Sequence, residues 1–147
     1  MAQLLDSNMM LRWANKGDPD HPLAISAMRK LGQQREVLHS TPQNYTEFWS
    51  GATRPATVNG LGLTPAQTAI LVAQLRATFP LLPDTGLVFE EWLRVVTQAA
   101  VSGRQVHDAR LVAVMLAHGL THILTFNVKD FQRYHIFGIT AVHPADV

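Results

Sequence analysis

Apolar and polar positions along this chain switch between two patterns, and the switch points mark its elements. Short runs that are apolar throughout read as buried strands, and stripes with a 3.6-residue period read as helices. Ala2 to Leu5 is such a run and stops at Asp6-Ser7-Asn8, residue types that cap helices. Met9 to Ala14 then predicts a helix, and Asn15 to Pro22, with Gly17, Pro19 and Pro22, a loop. Leu23, Ile25, Ala27, Met28 and Leu31 predict an amphipathic helix with Arg29 and Lys30 outside and Gly32 closing it. Glu36 to His39 is a candidate second strand. Thr41-Pro42 starts the next helix, a capping hydroxyl followed by proline in the first turn. Its apolar stripe is Tyr45, Phe48, Trp49 and Ala52.

Arg54 to Leu63, with Pro55, Gly60 and Gly62, reads as loop. Thr64-Pro65-Ala66-Gln67 has the capping-box pattern and opens a helix that reaches Thr78. Phe79 to Pro83 is a candidate strand. Val88 to Val101 is helical by pattern, with Phe89, Trp92, Leu93 and Val96 inward and Gly103 as its stop. Asp108 opens the most apolar helix, Ala109 to Ala117, closed by Gly119; its one internal charge is Arg110. His122 to Phe126 is a strand, Val128 to Tyr134 a helical turn, and Ile139 to Val142 a last strand. No internal repeat or low-complexity tract interrupts this order. Short apolar strands alternating with helices predict an α/β fold, a mainly parallel sheet covered on both faces. Function in such sheets collects at the carboxyl ends of the strands. Asp6 follows the first strand and Asn127 the strand before last, so both can lie on one edge.

Composition narrows the function classes. The 147 residues fit one domain, 1–147, with room for a core. Apolar residues are 47% and charged residues 16%, too apolar for disorder. No apolar run reaches the roughly 18 residues that would span a bilayer, and the start of the chain carries no basic leader. A cytoplasmic setting away from membranes is therefore expected. Cysteine is absent, which excludes disulfides, thiolate metal sites and cysteine nucleophiles. A net charge of +1 does not announce a nucleic-acid binder, so any RNA contact must use a local patch.

The candidate chemistry sits in polar islands at the ends of apolar runs. Asp6 could simply cap the following helix or form an Asx turn; at a strand's carboxyl end it could equally be functional. Asp108 reads as a helix N-cap, yet it shares a helix face with Leu111, Val112 and Met115. A carboxylate above a buried stripe is costly unless paired or bound to metal. Glu47 lies opposite the Tyr45/Phe48/Trp49 stripe, on a solvated face or lining a cleft. Thr125, Asn127 and Asp130 follow a strand and can orient water or metal ligands, or merely form a turn. Histidine spacing argues against zinc: His118 and His122 flank Gly119, no His-Glu-x-x-His is present, and His107 adjoins Asp108 in sequence only. There is no Gly-rich phosphate loop, and Ser26, Ser40 and Ser50 lack a nucleophile elbow.

Four segments in register carry a family resemblance: Leu4-Leu5-Asp6-Ser7-Asn8, then Thr46-Glu47-Phe48-Trp49 followed by Ala52-Thr53-Arg54-Pro55, then Val106-His107-Asp108-Ala109-Arg110, then Leu124-Thr125-Phe126-Asn127 with Asp130-Phe131. The chain resembles PIN-domain ribonucleases, most of all the VapC-type toxins of bacterial toxin–antitoxin pairs. The resemblance implies a three-layer α/β/α domain and endoribonuclease activity dependent on Mg2+ or Mn2+. It also implies homodimerisation and neutralisation by a small cognate antitoxin. Asp6, Glu47 and Asp108 carry over as the acidic metal pocket, with Asn8, Thr125 and Asn127 in support. Where some relatives have an aspartate this chain has Asn127, so the fourth position falls to Asp130 or to Asn127 as a neutral, water-mediated ligand. In this reading Asp6 and Asp108 hold the metal, and Glu47 is a further ligand or the base that orients water. Arg12, Arg54, Arg104, Arg110 and Lys129 lie near the motifs as candidate phosphate contacts, with an Arg110 salt bridge expected inside the acidic site. Structured RNA such as tRNA is the expected substrate. The competing readings are a non-catalytic RNA-binding PIN module, a receiver-like domain and a phosphatase of small phosphoesters.

Overall fold

A computed structural model describes residues 1–147. Four short strands form one parallel sheet: β1 (Ala2–Leu5), β2 (Val37–His39), β3 (His122–Leu124) and β4 (Thr140–Val142), in spatial order β2-β1-β3-β4. Seven α-helices accompany it: α1 (Ser7–Ala14), α2 (His21–Gln33), α3 (Pro42–Thr53), α4 (Pro65–Thr78), α5 (Gly86–Gln98), α6 (Val106–His118) and α7 (Val128–Phe131). No helix is long and apolar enough to cross a membrane.

Side chains alternate between the two faces of a strand, and that alternation builds the layers. Leu4 and Ile123 point to one face, where they meet Val88 and Val95 of α5, Leu111 to Met115 of α6, and Phe131 and Tyr134. Their neighbours Leu5 and Leu124 point to the other, against Met9, Met10, Ala24, Leu31, Phe48, Ala52 and Leu75 of α1 to α4. The result is the expected three-layer α/β/α arrangement with a parallel sheet. Because both faces are covered, the central strands are apolar throughout rather than alternating.

Several elements differ from their expected form. Gly32 does not close α2, which continues to Gln33. The stop is Arg35 in left-handed conformation (φ 59°), with Glu36 N–H donating to Leu31 C=O at 2.9 Å. In the same way α5 ends at Gln98, ahead of Gly103, through Ala100 at φ 49° and a Val101 N–H bond to Val96 C=O at 3.0 Å. Gly119 does close α6 as expected, at φ 73°, with Leu120 N–H bonded to Met115 C=O at 2.8 Å. Phe79 to Pro83 is not a strand. It pairs with the sheet edge through one bridge, Ser40 to Leu81, because Pro80 and Pro83 have no N–H to extend a ladder.

Two apolar stripes are also rotated from their expected faces. On α5 the buried positions are Val88 and Val95, with Trp92 and Val96 half-buried, whereas Phe89 and Leu93 are exposed. On α3 they are Asn44, Phe48, Gly51 and Ala52, while Trp49 is exposed and Tyr45 half-buried. Finally, α6 starts at Val106, so Asp108 lies in its first turn and caps nothing. A 3-10 turn over Gly103–Gln105 feeds the helix early, and Trp92 Nε1 anchors its start by donating to Val106 C=O at 3.0 Å.

Candidate active site

In the order β2-β1-β3-β4, β1 is flanked by strands reached through crossovers of opposite direction, so a crevice opens between the carboxyl ends of β1 and β3. Asp6 stands at the end of β1 and Thr125 just beyond β3, and they meet there. Asp6 is buried and caps α1, accepting from Ser7 N–H through Oδ1 at 2.7 Å. Its Oδ2 accepts from Thr125 Oγ1 at 2.8 Å and from Asn8 Nδ2 at 3.2 Å. The Thr125 hydroxyl in turn accepts from Asn8 Nδ2 at 3.1 Å and Asn127 N–H at 2.9 Å. One donated and two accepted bonds fill a hydroxyl's capacity, so Thr125 locks Asp6 to β3. Asn8 Oδ1 completes the link by accepting from Phe126 N–H at 3.3 Å.

Around this buried carboxylate three others converge from separate elements. Glu47 comes from the second turn of α3, Asp108 from the first turn of α6, and Asp130 from α7. They line one cavity of about 320 Å³ together with Arg104, Gln105 and His107, without a single hydrophobic residue. α3 reaches the crevice because it lies close against α1, where a Cβ on Gly51 would stand 2.9 Å from Leu11 Cδ1.

The electrostatics follow from burial and crowding. Burial, then the charges of Asp6 and Asp130, push the Asp108 carboxyl up to about 6. Burial and the charge of Asp6 push Glu47 up to about 7, against the opposing hydrogen bond from Gln43. Asp6 is also raised, since burial and the charge of Asp130 outweigh the hydrogen bonds from Thr125 and Ser7. None of the four carboxylates forms a salt bridge with a lysine or arginine. The cluster thus concentrates negative charge that no ion pair offsets.

The PIN domain family profile matches residues 4–136, a span holding all four carboxylates. This chain belongs to the PIN-domain family. The PIN domain here is similar in fold to VapBC2 of Rickettsia felis bound to a promoter DNA fragment, with TM-score 0.74 and 13% identity over 97% of this chain and 98% of that one. It is likewise similar to VapBC-1 of nontypeable Haemophilus influenzae, with TM-score 0.69 and 16% identity over 99% of each chain. VapC20 of Mycobacterium tuberculosis, a sarcin-ricin loop cleaving toxin, gives TM-score 0.56 and 18% identity over 84% of this chain and 87% of that one. No curated protein sequence matches significantly.

Within this PIN domain the structure brings Asp130, rather than Asn127, onto the wall shared with Glu47 and Asp108. Asn127 is exposed and lines a neighbouring hollow with Lys129 and His143. The expected Arg110 salt bridge inside the acidic site is absent. Arg110 turns away to pair with Asp84 at 3.3 Å, because the face of α6 that it occupies looks toward the start of α5. His107, read as a neighbour of Asp108 in sequence only, lines the same cavity. Arg12 is engaged by Asp20 at 3.6 Å and stacks over Phe126 at 4.5 Å, while Arg54 and Lys129 are exposed.

Gln43 is the participant that sequence reasoning missed. Its Nε2 donates to His107 C=O at 2.7 Å and to Glu47 Oε1 at 3.4 Å, and its Oε1 accepts from Arg110 Nη1 at 3.2 Å. It ties α3 to the start of α6 and so holds Glu47 across from Asp108. The available signal was its i, i+4 spacing to Glu47 on one helix face.

The carboxylates of Glu47, Asp108 and Asp130, beside the amide of Gln105, offer oxygen donors of the kind a hard divalent cation takes, and they repel one another while none is ion-paired. No three acidic or histidine side chains are already gathered as a finished coordination shell.

Proposed function

We propose that this PIN domain is a metal-dependent endoribonuclease, the toxin of a toxin–antitoxin pair, cutting tRNA or another structured RNA. One observation carries the reading. Three carboxylates, Glu47, Asp108 and Asp130, none in an ion pair, line a cavity without hydrophobic residues at the sheet's switch point, and the charge of buried Asp6 raises the pKa of Glu47 and Asp108. The fold likeness to VapBC complexes, and to VapC20 with its named RNA target, supports the same reading.

Asp6 and Asp108 would hold Mg2+ or Mn2+, with Glu47 as a further ligand or as the base that orients water. Bound there, the ion supplies Lewis-acid stabilisation of the phosphate and acidifies the attacking water. The chain's own groups do the rest. Thr125 and Asn8 fix Asp6 so that one carboxylate is immobile. Gln43 engages Glu47 Oε1, leaving Oε2 without a hydrogen bond and available to accept the water proton. Asp130 faces the same cavity and orients the nucleophile with Asp108. Water adds to phosphorus as it gives a proton to Glu47, the P–O ester bond breaks, and the leaving oxygen takes a proton from solvent to become a hydroxyl. Arg104, exposed at the cavity wall, supplies a phosphate contact, with Arg12, Arg54 and Lys129 farther out. Hydrolysis requires an accessible backbone, which favours loops and single strands. A second copy of the chain and a small antitoxin are the partners that accompany this role.

The test is cleavage of a mixed pool of tRNA and other structured RNA by the purified protein in Mg2+, Mn2+ or EDTA, beside Asp108→Ala. Metal-dependent cutting that disappears in the variant is the expected result. RNA that is bound but never cut under any metal would move the chain to a binding module.

A further inference from the structure

A second cavity, of about 400 Å³, adjoins the acidic pocket at His107, which lines both. Its character is different. One wall is aromatic: Phe89 and Trp92 of α5 stand with ring centroids 6.1 Å apart and planes inclined by 33°. The Trp92 indole N–H is already committed to Val106 C=O, so its ring is fixed in place with its polar edge satisfied. Phe89 is 59% exposed on a helix whose core-facing positions are Val88 and Val95, so the fold does not need it there. The Arg110–Asp84 ion pair lines the same cavity and places donors beside an acceptor.

These features select a ligand. Asp84 neutralises Arg110, so the rim suits a neutral group better than a phosphate. A planar ring meets the aromatic wall, and its polar edge can both accept from a guanidinium and donate to a carboxylate. An unstacked nucleobase has this chemistry, since every base offers a π-face and a mixed donor–acceptor edge. The shared His107 puts the cavity next to the carboxylates, as required for a nucleotide flanking the cut.

We propose that the Phe89–Trp92 cavity binds one nucleobase of the RNA, next to the phosphate presented to Asp6, Glu47, Asp108 and Asp130. It is a specificity subsite that rests on the ribonuclease reading above. Phe89 supplies the stack, and Asp84 with Arg110 read the base edge.

The test uses binding, so that it does not depend on turnover. A short single-stranded RNA, with one abasic position moved along it, is titrated against the full-length Asp108→Asn protein and against the same protein carrying Phe89→Ala or Phe89→Trp. Fluorescence anisotropy reports affinity and light scattering reports oligomeric state. One abasic position should weaken binding about tenfold, the scale of a single base–aromatic stack. Phe89→Ala should weaken intact RNA to the same extent and be indifferent to that position, and Phe89→Trp should restore the dependence. A flat abasic scan, or equal sensitivity in Phe89→Ala, overturns the subsite. So does a Phe89→Ala protein that changes oligomeric state with RNA affinity unchanged, which would make the α5 face a contact between copies. Cleavage by the wild-type protein separates the two ideas: metal-dependent cutting with a flat scan keeps the ribonuclease and removes the subsite. A position-specific base dependence without any cutting does the reverse.

Discussion

Asp6 sits buried at a strand end with four hydrogen-bond contacts arriving from Ser7, Asn8 and Thr125, and its pKa is still raised. Burial, the largest cause, together with the charge of Asp130 outweighs those donors. Thr125→Val keeps the shape and removes the donor to Asp6 Oδ2. Leaving a buried carboxylate oxygen underbonded should cost about 1–3 kcal/mol in urea unfolding; an unchanged midpoint would show that Thr125 is not the lock. The pH dependence has a definite sign. Glu47 and Asp108 hold protons to about 7 and about 6 when folded, above the usual carboxylate range that they regain on unfolding. Between those limits the folded chain binds more protons, so stability is greatest at low pH and falls as pH rises through the folded values. The metal-free protein should therefore lose thermal stability from pH 5 to pH 8, as far as these groups control it, and Glu47→Gln should flatten that decline. A decline of equal steepness in the variant would contradict the assignment. At this scale Asp6 and Asp108 stand out where apolar runs end and begin, whereas Glu47, inside α3, is marked by the family resemblance alone. Gln43 was not legible, since its bridge to His107 exists only once α3 and α6 are side by side.

The elements were legible wherever local chemistry decides them. Thr41 and Thr64 each make a capping box, and Gly119 stops α6. Legibility failed where packing decides. Both α3 and α5 carry aromatic residues on two sides of the helix, and the sequence does not say which side meets the sheet; Trp49 and Phe89 turned out to face solvent. The stop of α5 was misplaced because an alanine, not a glycine, takes the left-handed position. Ala100→Gly should relieve that strain and stabilise the domain by about 1 kcal/mol. In a chain of this size that is a rise of about 3 °C in Tm. A drop in Tm would mean that the loss of backbone entropy on folding dominates. Phe79 to Pro83 shows the opposite weighting, a run apolar enough for a strand whose prolines limit it to one bridge.

At the scale of the whole molecule, the sheet order decides where the chemistry is. Crossovers on either side of β1 open the crevice, and helices from both layers deliver acids to it: α3 from one face, α6 and α7 from the other. Motif order along the chain revealed these segments. It left the fourth position open between Asn127 and Asp130; α7 carries Asp130 onto the wall with Glu47 and Asp108. If the proposed metal site is correct, Mg2+ or Mn2+ should raise Tm more at pH 8, where the carboxylates are ionised, than at pH 5. An equal shift at both pH values would place the ion elsewhere. Neutralising Arg104 should reduce the salt dependence of RNA binding, and an unchanged slope would remove it from the phosphate path.

The most direct measurement is single-turnover cleavage of one end-labelled RNA, chosen from the pool as a substrate, by wild-type protein and by Asp108→Asn. It is run with Mg2+ and with EDTA, after thermal melts have shown both proteins folded. The account predicts cutting at a defined position by the wild-type protein in Mg2+, and loss of at least about a hundredfold in rate in EDTA or in the variant. Undiminished cutting by folded Asp108→Asn, or by the wild-type protein in EDTA, would contradict it.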